Sequence, residues 1–193
     1  MQIRSMRSEE LPDVYKRVRR DFPPIEYPPQ PKMRRNLEWG AMQAQLFEDD
    51  GRDAAYAFIL RSDACKRCML FLYAVEPELR GQGVGSDFLR ALIEERKDLD
   101  GMYAEVEMPE LADSVEERYI RKKRIAFYEA LGFYRVTGLE YHIYGVRMHL
   151  FYRPMGSGEL PDAARAMRDA KILYDGILRP WERFNLRMRA TEE

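Results

Sequence analysis

Three glycines, Gly81, Gly83 and Gly85, alternate directly behind Arg80 and ahead of a stretch with helical spacing. Residues without side chains leave main-chain N–H groups uncovered, and at a helix start those groups point outward. Such a turn suits a phosphate or diphosphate, and Arg80 adds a fixed positive charge beside it. It also suits plain packing, because glycine supplies conformations that other residues avoid. Further on, Glu105 and Glu107 flank Val106, so in a strand their carboxylates share one face. Two carboxylates on one face repel, and one of them then keeps its proton to higher pH, which suits a general base. A solvated strand face is the other reading of that pair.

The pattern around the glycines narrows the anion. A dinucleotide fingerprint wants Gly-x-Gly-x-x-Gly directly after its strand. Here the third position is Ser86, and Pro77 lies between the strand and the first glycine. No Gly-Lys-Ser/Thr follows, which excludes a P-loop. The arrangement instead resembles the signature of the GNAT superfamily of N-acetyltransferases. That family carries Arg/Gln-x-x-Gly-x-Gly/Ala between its fourth strand and the next helix, matched by Arg80, Gly83 and Gly85. The run Arg124–Phe133 resembles the family's late helix, with Tyr128, two intervening residues, then Leu131, Gly132 and Phe133. The resemblance spans about Met69 to Val136.

The resemblance implies a set of roles. Acetyl-CoA would rest its pyrophosphate on Arg80, Gly81, Gln82, Gly83, Val84, Gly85 and Ser86. Its pantetheine arm would lie along Tyr73, Ala74 and Val75, between a splayed fourth and fifth strand. Tyr128 would protonate the departing thiolate, and Glu105, with Glu107 beside it, would be the base. Many members carry Asn seven residues before the tyrosine and Ala four before it; this chain has Arg121 and Arg124. Arg121, Arg124 or Lys122 would then meet the 3′-phosphate of the cofactor, or else form a solvated helix face.

The implied activity is transfer of an acetyl (acyl) group from acetyl-CoA to a primary amine, by direct attack in a ternary complex. The amine belongs to a small molecule or a peptide. The alternative is a non-catalytic module that binds or senses acyl-CoA. An aromatic and acidic set, Tyr27, Trp39, Tyr103, Glu105 and Glu107, would suit a cationic amine.

The elements that must position these residues read as one mixed domain. Gln2–Met6 alternates as a strand, and a helix starts near Ser8 and stops before Pro23. Residues 22–31 hold five prolines with Phe22 and Tyr27, so they either wall a pocket or cross the surface. Arg34–Gln45 has helical spacing, and Ala44–Glu48 and Ala54–Arg61 read as a hairpin about Asp49-Asp50-Gly51. Met69–Val75 is a buried strand, Asp87–Glu95 a helix, Met102–Glu107 a strand and Val115–Leu131 a helix. Phe133–Val136 and Val146–Arg153 are the last expected strands, and residues from Glu159 to Met188 are partly helical. The expected fold is therefore α/β (α+β) and GNAT-like, in three layers. Its mixed, mostly antiparallel sheet has splayed fourth and fifth strands, with helices on both faces and a C-terminal helical extension. Residues 1–154 would be the acetyltransferase domain, and residues 155–193 would pack on it or form a homodimer contact or lid.

Composition bounds the partners. The chain has 32 Lys+Arg against 33 Asp+Glu, a formal net charge of -1. That balance gives no electrostatic footprint for nucleic acid. No apolar run reaches the ~20 residues of a membrane helix, and no signal peptide is evident, so a cytoplasmic protein without membrane partners is expected. Cys65 and Cys68 lead into a strand without a second pair, so they read as free thiols and no metal is expected.

Overall fold

The computed structural model describes residues 2–191. One twisted sheet runs through the molecule. Its strands are β1 (Gln2–Ser5), β2 (Met42–Asp49), β3 (Arg52–Ser62), β4 (Cys65–Val75), β5 (Gly101–Glu107), β6 (Tyr134–Arg135), β7 (Leu139–Ile143), β8 (Val146–Pro154) and β9 (Leu186–Ala190). The spatial order is β1-β2-β3-β4-β5-β8-β7-β9, with β6 also on β8. Every pairing is antiparallel except β4 with β5. The helices are α1 (Leu11–Asp21), α2 (Gln30–Glu38), α3 (Val84–Glu94), α4 (Val115–Ala130) and α5 (Ala163–Asp175). This is the three-layer, mostly antiparallel arrangement expected from the sequence.

Two cores form because strand residues alternate between faces. On one face, Tyr56, Phe58, Met69, Phe71, Tyr103 and Tyr152 pack against α1, α2 and α5. On the other, Ala57, Ile59, Leu70, Met102 and Phe151 pack against Phe88, Leu89 and Leu92 of α3, with Phe127 and Tyr128 of α4 beside them.

The alternation breaks once along β4, and the break matters. Phe58 opposes Leu72 while Ile59 opposes Leu70, so Phe71 is an extra residue. A bulge of this kind bends the strand and moves later side chains to the opposite face. Leu72 and Ala74 therefore join the face of Phe71, while Tyr73 and Val75 turn toward α3 and α4. The parallel ladder with β5 ends at Leu70 opposite Ala104. From there β4 stays with β3 and β5 stays with β8, and a gap opens between them.

Several boundaries differ from the sequence reading. The helix expected over Arg34–Gln45 lies at Gln30–Glu38, because Pro31 fits a first helical turn that needs no N–H there. Met42–Asp49 is then strand throughout. Strand β7 was hidden between the last two expected strands, and β9 within the expected extension. Leu139 to Ile143 takes β8 on one edge and β9 on the other, so tertiary pairing makes both short segments strands.

The C-terminal segment is fixed to the sheet by a buried polar hub. Asp169 of α5 accepts hydrogen bonds from Tyr103 at 2.8 Å and from the Cys65 thiol, and it ion-pairs with Arg67 at 3.4 Å. Cys65 and Cys68 are both buried free thiols. Removing one member of a buried charged network leaves the others uncompensated. Asp169→Ala should therefore cost about 3 kcal/mol or more in urea unfolding, and a loss under about 1 kcal/mol would show that the hub is dispensable.

Candidate active site

The gap between β4 and β5 continues into a cleft of about 670 Å³. Its walls are the end of β4 (Leu70–Val75), the glycine turn, the end of β5, one face of α4, the β7–β8 turn and the segment after α1.

The glycine turn is built as an anion cradle. Gly81 and Gly83 have φ of 76° and 89°, the left-handed region that L side chains rarely adopt, and no atom lies within 4 Å of the space a Cβ would fill. Gly83 caps α3, the first-turn amides of which follow directly. Among the described residues, no acceptor takes the amides of residues 81 to 86. Six consecutive unused donors at a helix N-terminus have the geometry and polarity to receive an anion. Gly85 faces inward, where the Tyr73 hydroxyl donates to its carbonyl and ties β4 to α3. Tyr73 is stacked between Phe88 at 5.4 Å and Phe127 at 6.3 Å.

Arg80 is held rather than free. Its Nε donates to the Val75 carbonyl at 2.9 Å and its Nη2 pairs with Asp21 at 2.8 Å. Asp21 also accepts from Tyr56 at 3.0 Å and pairs with Arg20. The sequence reading missed Asp21, which sets the direction of Arg80 from a distant helix. Gln82 donates to the Glu78 carbonyl at 2.7 Å, and the Val84 side chain is buried, so only their amides face the turn's outer side.

On the α4 side, Gly132 ends the helix with φ of 77°, and the Phe133 amide returns to the Tyr128 carbonyl. Tyr128 thus occupies the last turn with its ring edge-on to Phe127 and Phe133, at 5.2 and 5.3 Å. It lines the cleft, and its hydroxyl takes no hydrogen-bond partner among the described residues. Burial raises this phenol to about 12; Arg124 opposes the shift and Glu105 adds to it.

The two strand carboxylates have separate fates. Glu107 pairs with Arg124 and, at 3.6 Å, with Arg121, so it is neutralised. Glu105 has no cationic partner among the described residues. Its Oε1 accepts from the hydroxyls of Tyr141 and Tyr174, the latter at 2.7 Å. Burial pushes its carboxyl up to about 7, although both phenols pull it down. The asymmetry comes from neighbouring arginines and phenols rather than from mutual repulsion.

Arg121 does not line this cleft. Its guanidinium donates to the Met108 carbonyl at 2.8 Å and to Glu117, in a neighbouring depression. Lys123 and Arg124 are the α4 cations at the cleft wall, across from Arg80 of the glycine turn, and Lys122 is not among its lining residues. The proline-rich segment does wall the pocket, through Phe22 and Glu26. Burial raises the Glu26 carboxyl, with Arg124 opposing and Glu105 reinforcing the shift.

The aromatic set expected around an amine is not assembled. Trp39 is 70% exposed beneath Arg35, Tyr27 packs on Tyr15 at 5.7 Å, and Tyr103 is buried against Asp169. Glu26 and Tyr144 occupy the cleft instead. An acid inside a rigid proline run was the sequence signal for Glu26, while Tyr141, Tyr144 and Tyr174 had no local signature.

Comparison with known proteins fits this geometry. Residues 43–135 match the sequence profile of the acetyltransferase (GNAT) domain, a little under half of the chain. A protein from Bacteroides thetaiotaomicron, described as a GNAT-family acetyltransferase, superposes with a TM-score of 0.71 at 21% identity. That likeness covers 93% of this chain and 100% of the other. The ribosomal-protein-S18-alanine N-acetyltransferase from Escherichia coli gives 0.60 at 23% identity, over 82% and 96% of the two chains. A GNAT-like decarboxylase, GphF, in complex with isobutyryl-CoA gives 0.63 at 12% identity, over 80% and 99%. No curated protein sequence matches the chain. Among the described residues no helix is long and apolar enough to cross a membrane, and no group of three or more His, Cys, Asp or Glu could hold a metal ion.

A carboxyl raised on folding holds its proton more tightly in the folded state. Its stabilisation is complete below the unfolded pKa and is lost as pH rises through the folded one. Wild type should therefore lose stability between about pH 4.3 and 7 relative to Glu105→Gln. Urea unfolding across that range reads the slope, and parallel curves for the two proteins would refute the assignment.

Proposed function

We propose that this protein is an acyl-CoA-dependent N-acyltransferase that moves an acetyl group from acetyl-CoA to a primary amine by direct attack in a ternary complex. The observation that carries the reading is one cleft with three separate devices. The unused amides of the turn from Gly81 to Ser86, the free Tyr128 hydroxyl and Glu105 share its wall. The residues fit the donor: the amides match a diphosphate, and the space between the separated strands matches a narrow arm. The GNAT-like decarboxylase that shares the fold is in complex with isobutyryl-CoA.

Acetyl-CoA supplies an activated thioester. Backbone around Tyr73, Ala74 and Val75, which has lost its ladder partner on β5, holds the arm and polarises the carbonyl. Glu105 takes the proton from the amine as nitrogen bonds to carbon. Tyr128 hydrogen-bonds to the sulfur as the carbon–sulfur bond breaks, and coenzyme A leaves as its thiolate, which takes its proton from solvent. A phenol at about 12 is a weaker acid than a thiol at about 8.5. Tyr128 therefore acts by sharing its proton while sulfur charge develops, and not by transfer after the bond has broken.

The acceptor end favours a cationic amine. Glu26 and Glu105 line it without an ion pair among the described residues, beside Phe22, Ile143, Tyr144 and Met148. Relatives in fold include a spermidine N-acetyltransferase chimera from Vibrio cholerae and human sequence, and an enzyme for a ribosomal protein alanine. Lys123 and Arg124 at the wall support contact with the 3′-phosphate, a role their exposure on α4 permits.

The first test is a thermal melt with CoA, acetyl-CoA, NAD and ATP. A ligand at ~100 times its dissociation constant should stabilise by about 2.7 kcal/mol, and only CoA and acetyl-CoA should do so. Thiol release from acetyl-CoA is then followed with polyamines, aminoglycosides, amino acids and peptide N-termini. Tyr128→Phe should lower kcat by about 10²-fold or more with unchanged CoA binding. Full binding with no turnover on any amine would point to an acyl-CoA-sensing module instead.

A further inference from the structure

We infer that Tyr141 and Tyr174 form a clamp that holds the Oε1 of Glu105 and leaves Oε2 to receive the proton of the amine. The inference rests on Glu105 being the base in the reading above. Both phenols donate to the same oxygen, one from β7 and one from α5. Neither ring is exposed: Tyr141 is 1% and Tyr174 0% accessible. Two donors converging on one carboxylate oxygen fix its rotation and direct the remaining lone pairs elsewhere. They also explain why a carboxylate can survive there without a cation, since hydrogen bonds to the charged form favour it against burial.

The placement of Tyr174 is determined by a second contact on the same two elements. Five residues earlier on α5, Asp169 accepts from Tyr103, which lies two residues before Glu105 on β5. Five residues of helix advance about 7.5 Å and two of strand about 6.6 Å, so the two bonds match in spacing. Arg67 on β4 ion-pairs with Asp169 and locks that register from the neighbouring strand. Helix α5 lies outside the segment that matches the GNAT profile, residues 43–135, and so does Tyr141. The C-terminal helix is thus a working part of the candidate site: it carries a positioning residue for the base.

The other titratable groups facing Glu105 are Tyr128 from α4, Tyr144 from the β7–β8 turn and Glu26 from the segment after α1. The phenols are neutral through the working range, because burial raises each of them. Removing one clamp hydroxyl therefore acts directly on Glu105, and Glu26 feels it only through the charge of Glu105.

The test uses the full chain with carbon-13-labelled glutamate, the Glu105 signal being assigned by its loss in Glu105→Gln. Tyr141→Phe and Tyr174→Phe each delete one hydroxyl and keep the ring, and circular dichroism with a thermal melt checks the fold. The Glu105 titration midpoint should rise by about one pH unit in each variant and further in the double variant. The acid limb of kcat/KM should move with it, lowering kcat/KM about five-fold at pH 7, while the KM for acetyl-CoA stays unchanged. A midpoint unmoved in both single variants overturns the clamp. A midpoint that moves in protein that acetylates no amine upholds the clamp and removes the transferase reading, so the two failures are distinct.

Discussion

Everything at the candidate site depends on β4 and β5 parting company after Leu70 and Ala104. Each strand keeps its other neighbour, so the separation removes ladder bonds on one side of each only. A closed sheet would use those groups; an open one leaves them facing a gap. The extra residue at Phe71 is the local cause on the β4 side, since it bends the strand and reverses which side chains face which layer. That reversal turns Tyr73 toward Gly85, where its hydroxyl fastens the strand end to the start of α3. Gap and anion cradle are therefore one construction.

Charge placement follows from which elements close over the gap. Helix α4 crosses it and brings Arg121 and Arg124 to Glu107, while α5 and β7 bring only phenols to Glu105. Two glutamates two residues apart on one strand thus meet opposite environments. One is neutralised by ion pairs, and the other is buried among neutral donors that leave its pKa high. Perturbed titration in a cleft is where acid–base function is expected. The arginine pair on Glu107 also explains Arg121: it supports β5 rather than reaching into the cleft.

The peripheral segments contribute as much as the central one. Asp21 at the end of α1 orients Arg80, and the proline-rich stretch after it delivers Phe22 and Glu26. Prolines hold such a segment with little conformational freedom to lose, which suits a pocket wall better than a bare loop. At the other end of the chain, Asp169 anchors α5 to the sheet, and β9 extends the sheet beyond β7.

The glycine turn, the Tyr128 motif and the alternation of strands and helices were legible because each is a local pattern: spacing, backbone freedom or period. The sequence also pointed to the carboxylate pair on β5. It could not apportion their roles, because the deciding neighbours, Arg121, Arg124, Tyr141 and Tyr174, come from three separate elements. Tyr27, Trp39 and Tyr103 were wrongly grouped with the pair, since proximity along the chain does not say which rings reach the cleft: Tyr103 shares the face of Glu105 but is covered by α5 at Asp169. Short strands such as β7 and β9 exist only through their partners. What the sequence determined alone is where main-chain donors are bare and where a phenol ends a helix, because those depend on a few consecutive residues. Which glutamate stays uncompensated, and which tyrosines hold it, was decided only when the folded sheet brought distant elements to one oxygen atom.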